Sequence, residues 1–333
     1  MDSRETQLTA LAPTRETSGE AAAQPRIAVL VPCYNEAATI AQVVGDFARA
    51  LPGAAVWVFD NNSTDETAAI AAAAGGLVRH TPLRGKGNVV RRMFGDVEAD
   101  VYLLVDGDDT YDATAAPMMV RRLLGEGLDM VSAARVSTAA GAYRAGHRLG
   151  NKALSGVVRM VFGRQFGDML TGYRAFSRRF VKSFPAHSRG FEIETELTVH
   201  TLQMRLPAIE VEAAYGERPD GSESKLSTFR DGWRILRMIS LMVREERPLQ
   251  FFGIASLASL VAAILLTLPV VFDYLATGLV PRQPSLIVAV GLIVTAMLSL
   301  VCGLILDTVS RARLEQRRLA YLALPGPQAS AGA

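Results

Sequence analysis

Three carboxylates fall within four residues at Asp106, Asp108 and Asp109, directly after an apolar run at 101–105. Crowding of this kind is costly unless a cation sits among the charges. Hard oxygen ligands two residues apart suit Mg2+ or Mn2+, ions that often keep substrate phosphates in their coordination shell. Gly107 lets the chain turn so that Asp106 and Asp108 face one ion. An acidic surface turn is the other reading of an Asp-Gly-Asp string, and the neighbouring residues must decide. Lys86 stands between Gly85 and Gly87 ahead of a helical pattern, where it can present a cation and backbone N–H groups to phosphate. A Walker loop would need Gly in place of His80 and Ser or Thr in place of Gly87, and the dinucleotide fingerprint would need Gly in place of Val90, so both are excluded. Glu36 and Asp60 are pure acceptors when ionised, suited to ribose hydroxyls or a base edge. Glu192 and Glu196 are four apart, hence on one face if helical, and a solvated face explains them equally well.

These residues need elements to carry them. The apolar, β-branched runs at 26–31, 54–59, 77–80 and 101–105 read as strands, separated by helical spacing at 37–50, 64–74 and 88–94. Thr64 or Asp65 can cap the second helix. Such alternation predicts an α/β domain, a mostly parallel sheet with helices on both faces. Ligands in these sheets bind beyond the carboxyl ends of the strands, where the polar clusters at 32–36, 60–65 and 106–109 fall. Further on, residues 129–134 read as a strand ending near Arg135, 147–162 as a helix, and 209–213 as an alternating strand.

The chain has 333 residues, of which 50% are hydrophobic, and a positive mean hydropathy, high for a purely soluble protein. The excess lies near the C-terminus: 249–272 and 285–306 carry no charged residue. At about 1.5 Å per residue each can cross a roughly 30 Å hydrocarbon layer as a helix. Arg244 and Arg247 precede the first span and Arg311, Arg313, Arg317 and Arg318 follow the second, whereas the loop at 273–284 holds only Arg282. The bias predicts a multi-pass protein of the cytoplasmic membrane, with the large N-terminal part on the cytoplasmic face. Residues 229–243 put Trp233, Leu236, Ile239 and Val243 at helical spacing among arginines, an amphipathic helix at the membrane surface. The first 24 residues have no apolar core of a signal peptide and are expected to be a disordered lead-in. The expected organisation is therefore lead-in 1–24, α/β domain 25–228, amphipathic helix 229–247, two spans with a short external loop 248–309, and a cytoplasmic tail 310–333. Cys33 and Cys302 have no plausible disulfide with each other, and a net charge of +2 with no basic patch gives no case for a nucleic-acid partner.

The order of the motifs resembles family-2 glycosyltransferases of the GT-A fold (Rossmann-like), and within them the two-span polyprenyl-phosphate, or dolichyl-phosphate, sugar synthases. The likeness covers roughly residues 26–236. The Val-Pro-Cys-Tyr-Asn-Glu string ending at Glu36 resembles the first nucleotide-contacting loop, and Phe59 to Asp65 stands where many relatives have Asp-Asp-Gly-Ser. Gly85-Lys86-Gly87 resembles the lysine loop, and Asp106-Gly107-Asp108 the metal-binding Asp-x-Asp. Thr171 to Phe176, with Asp168 ahead of it, resembles the Gly-Phe-Arg element, and Gly221 to Lys225 the Gly-x-Ser-Lys loop. The resemblance implies a nucleotide-sugar site built from Pro32, Tyr34, Asn35, Glu36, Asp60, Asn62, Lys86, Asp106 and Gly107, with Asp106 and Asp108 holding the metal. It implies catalytic roles for Asp108, Lys86 and Asp168, the last orienting sugar or acceptor or acting as base. It also implies an inverting single displacement, a polyprenyl phosphate as acceptor, and a homo-oligomer.

The chemistry also follows from the residues. A departing diphosphate needs its charge neutralised, which a metal on Asp106 and Asp108 together with Lys86 would do. A lipid monophosphate with a second pKa near 6, by analogy with phosphoserine, is already largely anionic, so it needs positioning more than a strong base. Arg135, Arg144, Arg148 and Lys225 are the candidates to grip it. The resemblance of the Asp60–Asp65 string to that of archaeal-type members of the family implies UDP-glucose or UDP-N-acetylglucosamine rather than GDP-mannose, with a uronic acid donor open. Two rivals remain. A processive polysaccharide synthase of the same fold would carry a Gln-x-x-Arg-Trp motif, which the chain lacks. A catalytically inactive accessory protein of glycan assembly would have lost Asp106, Asp108 or Lys86, which are all present.

Overall fold

The computed structural model describes residues 24–137, 166–216 and 247–327. Among these residues seven strands form one sheet in the order β3-β2-β1-β4-β6-β5-β7. They are β1 (Ile27–Cys33), β2 (Ala55–Asp60), β3 (Leu77–His80), β4 (Val101–Leu104), β5 (Met130–Ser137), β6 (Arg174–Ser177) and β7 (Ala208–Tyr215). β6 runs antiparallel to both its neighbours, and the remaining pairings are parallel. The mostly parallel α/β sheet expected from the alternating pattern is therefore present, with one reversed strand that the alternation does not reveal.

β1 and β4, at the centre of the parallel part, carry no charged residue because helices cover both faces. Alternation divides them cleanly. Val29 and Val31 of β1 and Val101 and Leu103 of β4 face one core, with Ile40, Val43, Val44 and Phe47 of α1 (Ile40–Ala50). That core also receives α2 (Thr67–Ala73) and α4 (Ala116–Gly125). Ala28, Leu30, Tyr102 and Leu104 face the opposite core, with Val89, Val90, Met93 and Phe94 of α3 (Lys86–Asp96). α5 (Arg178–Ser183) and α6 (Ile193–Met204) complete it. Each fully buried aromatic or aliphatic side chain contributes about 1.5–3 kcal/mol, and the two clusters fix the sheet rigidly under its loops.

Helix starts agree with the sequence reading to within a few residues. The start of α2 differs: Thr64 does not cap it. The carboxylate of Asp65 accepts from the backbone N–H and hydroxyl of Thr67, making a short turn before the helix begins. That hydrogen bonding holds the Asp65 carboxyl below its usual value, although partial burial works the other way.

Two long helices follow, α7 (Pro248–Thr277) and α8 (Gln283–Leu322), both apolar and long enough to cross a membrane. Their large side chains mostly point outward, and small residues meet where the helices touch. Ala289, Ala296 and Gly303 of α8, seven apart, are buried, and Ser256 donates to the Ala296 carbonyl at 2.8 Å. α8 does not end with its apolar run but continues unbroken through the boundary expected at 309/310 to lie against the α/β domain. Ser310, Leu314, Arg317 and Tyr321, on one face, are partly buried there. The Tyr321 hydroxyl donates to Asp129 at 2.8 Å, its ring lies under Arg179 (4.6 Å to the centroid), and Arg317 donates to Gln203 at 3.1 Å.

Candidate active site

Because β2, β1 and β4 are neighbours, their carboxyl ends bring the three polar clusters side by side. Backbone and side-chain bonds stitch them together. The Asn61 N–H donates to the Cys33 carbonyl (2.8 Å), the Asn35 N–H to the Ser63 hydroxyl (2.9 Å), and the Thr39 hydroxyl to the Gly107 carbonyl (2.6 Å). Asn35, at φ 53°, accepts from the Thr64 N–H through its side-chain oxygen, and Glu36 donates its N–H to Thr67. Pro32 and Tyr34 are half-buried beside them, with Arg84 over the Tyr34 ring at 5.6 Å. Asp60 is 3% exposed, accepts from the Ser63 N–H and lies 3.0 Å from the His80 Nδ1. Asn62 donates to the carbonyls of Thr81 and Pro82. So Asp60 and Asn62 shape this wall through bonds within the chain.

The lysine loop joins the same wall. The Gly85 N–H donates to the Asn61 Oδ1 at 2.7 Å, and the Gly87 N–H to the Gly190 carbonyl at 3.1 Å. Gly85 has φ 117°, and a Cβ on Gly85 or Gly87 would strike the backbone carbonyls of Arg189 and Ser188. Lys86, the first residue of α3, is thereby turned inward. Its Nζ lies 2.5 Å from Asp106 Oδ1 and 2.5 Å from Glu194 Oε1, with the side chain only 9% exposed. Burial opposes its charge, but Asp106 and Glu194 prevail and hold its pKa above the usual lysine value. Burial, reinforced by Asp106, pushes the Glu194 carboxyl up against the pull of Lys86. Glu194 was not singled out from the sequence, where Glu192 and Glu196 drew notice. Glu196 instead accepts from the N–H groups of His187 and Ser188. The missed signal was the odd member of the Glu-x-Glu-x-Glu run, which alone faces inward.

Asp108 is 4% exposed and accepts the Thr110 hydroxyl at 2.6 Å. Asp109 takes a left-handed φ of 56°, and burial, with Asp46 and Asp108 nearby, raises its pKa. Gly172 presses on the Asp106 carboxylate so closely that a Cβ would displace it. The Gly172 N–H in turn donates to the Tyr111 hydroxyl at 2.9 Å, a support that sequence spacing did not suggest. Arg174 is fully buried and donates to the carbonyls of Met169 and Thr171 and to the Thr198 hydroxyl, which pins this loop. Burial lowers its pKa to about 10, so it stays charged at neutral pH, with Glu194 and Asp168 favouring the cation.

Asp168 and Arg135, expected in separate roles, pair with each other. Arg135 grips both oxygens (2.7 and 2.9 Å), and the N–H groups of Arg135 and Leu170 add two bonds. Burial opposes ionisation, but these donors win and hold the Asp168 carboxyl below its usual value. A carboxylate with four donors is a poor proton acceptor, which favours orienting over base chemistry. Arg144, Arg148 and Lys225 lie outside the described residues, as do the 221–225 loop, the helix expected at 147–162 and the amphipathic helix expected at 229–243.

Residues 28–184 match the sequence profile of glycosyl transferase family 2. The glycosyltransferase AglJ of Haloferax volcanii is 33% identical over 294 residues, 88% of this chain and 96% of that protein. This chain belongs to glycosyltransferase family 2. The glycosyltransferase is also 29% identical over 221 residues, 66% of the chain, to the dolichyl-phosphate hexose transferase of the same organism, covering 95% of that protein. Its fold is similar to the crystal structure of Mycobacterium tuberculosis glucosyl-3-phosphoglycerate synthase in complex with Mn2+ and UDP-glucose. The TM-score there is 0.54 at 26% identity, over 67% of this chain and 80% of that one. The GT-A fold read from the motif order is therefore that of this enzyme.

Among the described residues no group of three or more metal-ligating side chains occurs. The enzyme offers two carboxylates, Asp106 and Asp108, a donor set that suits a hard divalent ion completed by phosphate and water. The buried Glu194 Oε2 has no hydrogen-bond partner, and Asp106, Asp108 and Glu194 outnumber Lys86. The residues fit a divalent cation and leave room in its shell for a diphosphate.

Proposed function

We propose that this glycosyltransferase moves a sugar from a nucleotide sugar, a UDP-sugar before GDP-mannose, to a polyprenyl or dolichyl monophosphate in the membrane. The observation that carries the reading is the inward Lys86 between Asp106 and Glu194, beside the buried Asp108, in a chain that ends in two apolar helices. The dolichyl-phosphate hexose transferase likeness supports the lipid acceptor, and the synthase solved with Mn2+ and UDP-glucose supports the donor and metal.

A Mg2+ or Mn2+ ion on Asp106 and Asp108 would act as a Lewis acid, neutralising charge on the leaving diphosphate. Lys86 adds a fixed, desolvated cation at the same place, where electrostatic stabilisation is strongest. Glu194 holds the ammonium aimed at that point. Glu36, Tyr34 and Asn35 line the donor's nucleoside end, on a loop braced by Asp60 and Asn62. The acceptor phosphate, already anionic, attacks the anomeric carbon as the diphosphate leaves, inverting its configuration, and no protein base is required. Arg144, Arg148 and Lys225 would position that phosphate, while Asp168 keeps Arg135 and the 168–173 loop in place. The two apolar helices cross the cytoplasmic membrane and keep the site within reach of the lipid headgroup.

A panel of nucleotide sugars incubated with the purified chain, a divalent ion and a short polyprenyl phosphate tests the reading. Formation of a polyprenyl-phosphate sugar from one donor is expected. Transfer only to a soluble acceptor would reject the lipid assignment.

A further inference from the structure

Between the catalytic domain and α8 lies a cavity of about 520 Å3, away from the carboxylate cluster. Arg205, Arg247, Arg311, Arg313 and Arg317 line it, against Glu192, Glu196 and Asp307, an excess of two positive charges. Asp307 is already paired with Arg311 at 2.8 Å, and Glu196 is held by two backbone N–H groups. Phe184, Val199 and Leu314 supply an apolar wall. His200 also lines the cavity. It is 2% exposed, packed edge-on against Phe180 and Phe184, and neither ring nitrogen has a hydrogen-bond partner. A neutral imidazole always carries one N–H donor, and leaving it unmet in a buried place is costly. Burial, with Arg317 nearby, pushes its pKa down to about 3, so it is neutral at ordinary pH and adds no charge to the cavity.

The height of the cavity is informative. Arg247 directly precedes α7, and Arg311 lies five residues beyond Leu306, the last of the uncharged run. At about 1.5 Å per residue, Arg311 stands roughly 8 Å past the hydrocarbon edge, at the outer boundary of the polar layer, from which a long side chain reaches back into it. Basic pockets beside membrane helices at this depth suit anionic headgroups.

We propose that this cavity binds the phosphate of an anionic phospholipid headgroup, between α6 and α8, as a site separate from that of sugar transfer. The arginines meet the phosphate oxygens, and Phe184, Val199 and Leu314 border them on the apolar side. Bound there, the lipid would seal the catalytic domain against its helix without entering the reaction. The Ser188–Gly190 turn, which packs on Gly85 and Gly87, shares Ser188 with the cavity lining, so the lipid would also brace the lysine loop.

Native mass spectrometry of the detergent-purified full chain, loaded with phosphatidylglycerol or phosphatidylcholine, tests the proposal. One phosphatidylglycerol should survive activation that strips phosphatidylcholine. The double variant Arg313→Gln/Arg317→Gln should weaken its retention roughly thirtyfold, at about a factor of five per arginine. Arg121→Gln, a change at an exposed arginine of α4, should leave it intact. Equal retention of both lipids, or retention indifferent to the double variant, overturns the site. Displacement of phosphatidylglycerol by millimolar inorganic phosphate overturns the lipid source in favour of a soluble anion. The proposal rests on the two helices crossing the bilayer. Release of the chain from membranes by alkaline carbonate would defeat that premise independently of lipid binding.

Discussion

Lys86 is the residue on which the site's electrostatics turn, since it alone places a buried cation between Asp106 and Glu194. Lys86→Met, with folding verified, should lower the transfer rate by about 10²–10³, the range seen when one stabilising donor is removed from a developing anion. Glu194→Gln should cost less, because it loosens the aim of the ammonium without deleting it, and nucleotide binding measured by calorimetry should change little. A Glu194→Gln enzyme of full activity would reduce that carboxylate to a packing role. Asp168 makes a different prediction. Its folded pKa lies below the reference 3.8, so the stability it contributes is present above that pH and is lost as pH falls through the folded value. Thermal melts at descending pH should show a steeper acid limb for the wild type than for Asp168→Asn, whose neutral-pH stability should drop by about 1.5–3 kcal/mol because Arg135 loses its charged acceptor. Asp106, Asp108 and Lys86 were legible in the sequence because their types and strand-end positions admit few other uses. Glu194 and Tyr111 were not, because each reaches the site from an element whose direction depends on packing. The mutual pairing of Arg135 and Asp168 was also hidden: it joins β5 to the loop ahead of β6, 33 residues on.

At the scale of elements, the continuation of α8 is the feature with the most to say. Its face of Ser310, Leu314, Arg317 and Tyr321 couples the apolar helices to the domain that carries the chemistry. The anchor is Asp129, fully buried and held also by Arg179 (2.6 and 3.0 Å) and the Ser177 hydroxyl (2.7 Å). Tyr321→Phe keeps the ring under Arg179 but removes one bond to a charged acceptor, and should cost about 1–2 kcal/mol. A single alanine inserted after Val309 is more severe, since it rotates the docking face by about 100°. Limited proteolysis should then cut α8 above the apolar run much faster, and transfer to a membrane-bound acceptor should fall. Unchanged cleavage and activity would show that the contact is dispensable. The apolar run and the arginines after it were evident from composition. That the helix would run on and dock was not, because Leu314 and Tyr321 among six charged or polar neighbours give no strong apolar stripe. The reversed β6 escaped for a similar reason: its four residues are too short to display a direction.

In the whole molecule, a rigid sheet whose strand ends collect three polar loops is joined to a pair of long apolar helices, which in the proposed function bring the site to a lipid surface. The family and the sheet were readable because six motifs occur in an order that independent surface loops would not reproduce. The identity of the sugar is not written in any single residue, since the loop at 60–65 shapes the nucleoside wall mainly through bonds within the chain. The measurement closest to the central claim compares wild type with Asp108→Asn, both reconstituted, for divalent-dependent transfer of labelled sugar to a polyprenyl phosphate. The account predicts transfer by the wild type that disappears with EDTA and returns with Mg2+ or Mn2+, and none by the folded variant under any condition. Near-normal transfer by Asp108→Asn would contradict it.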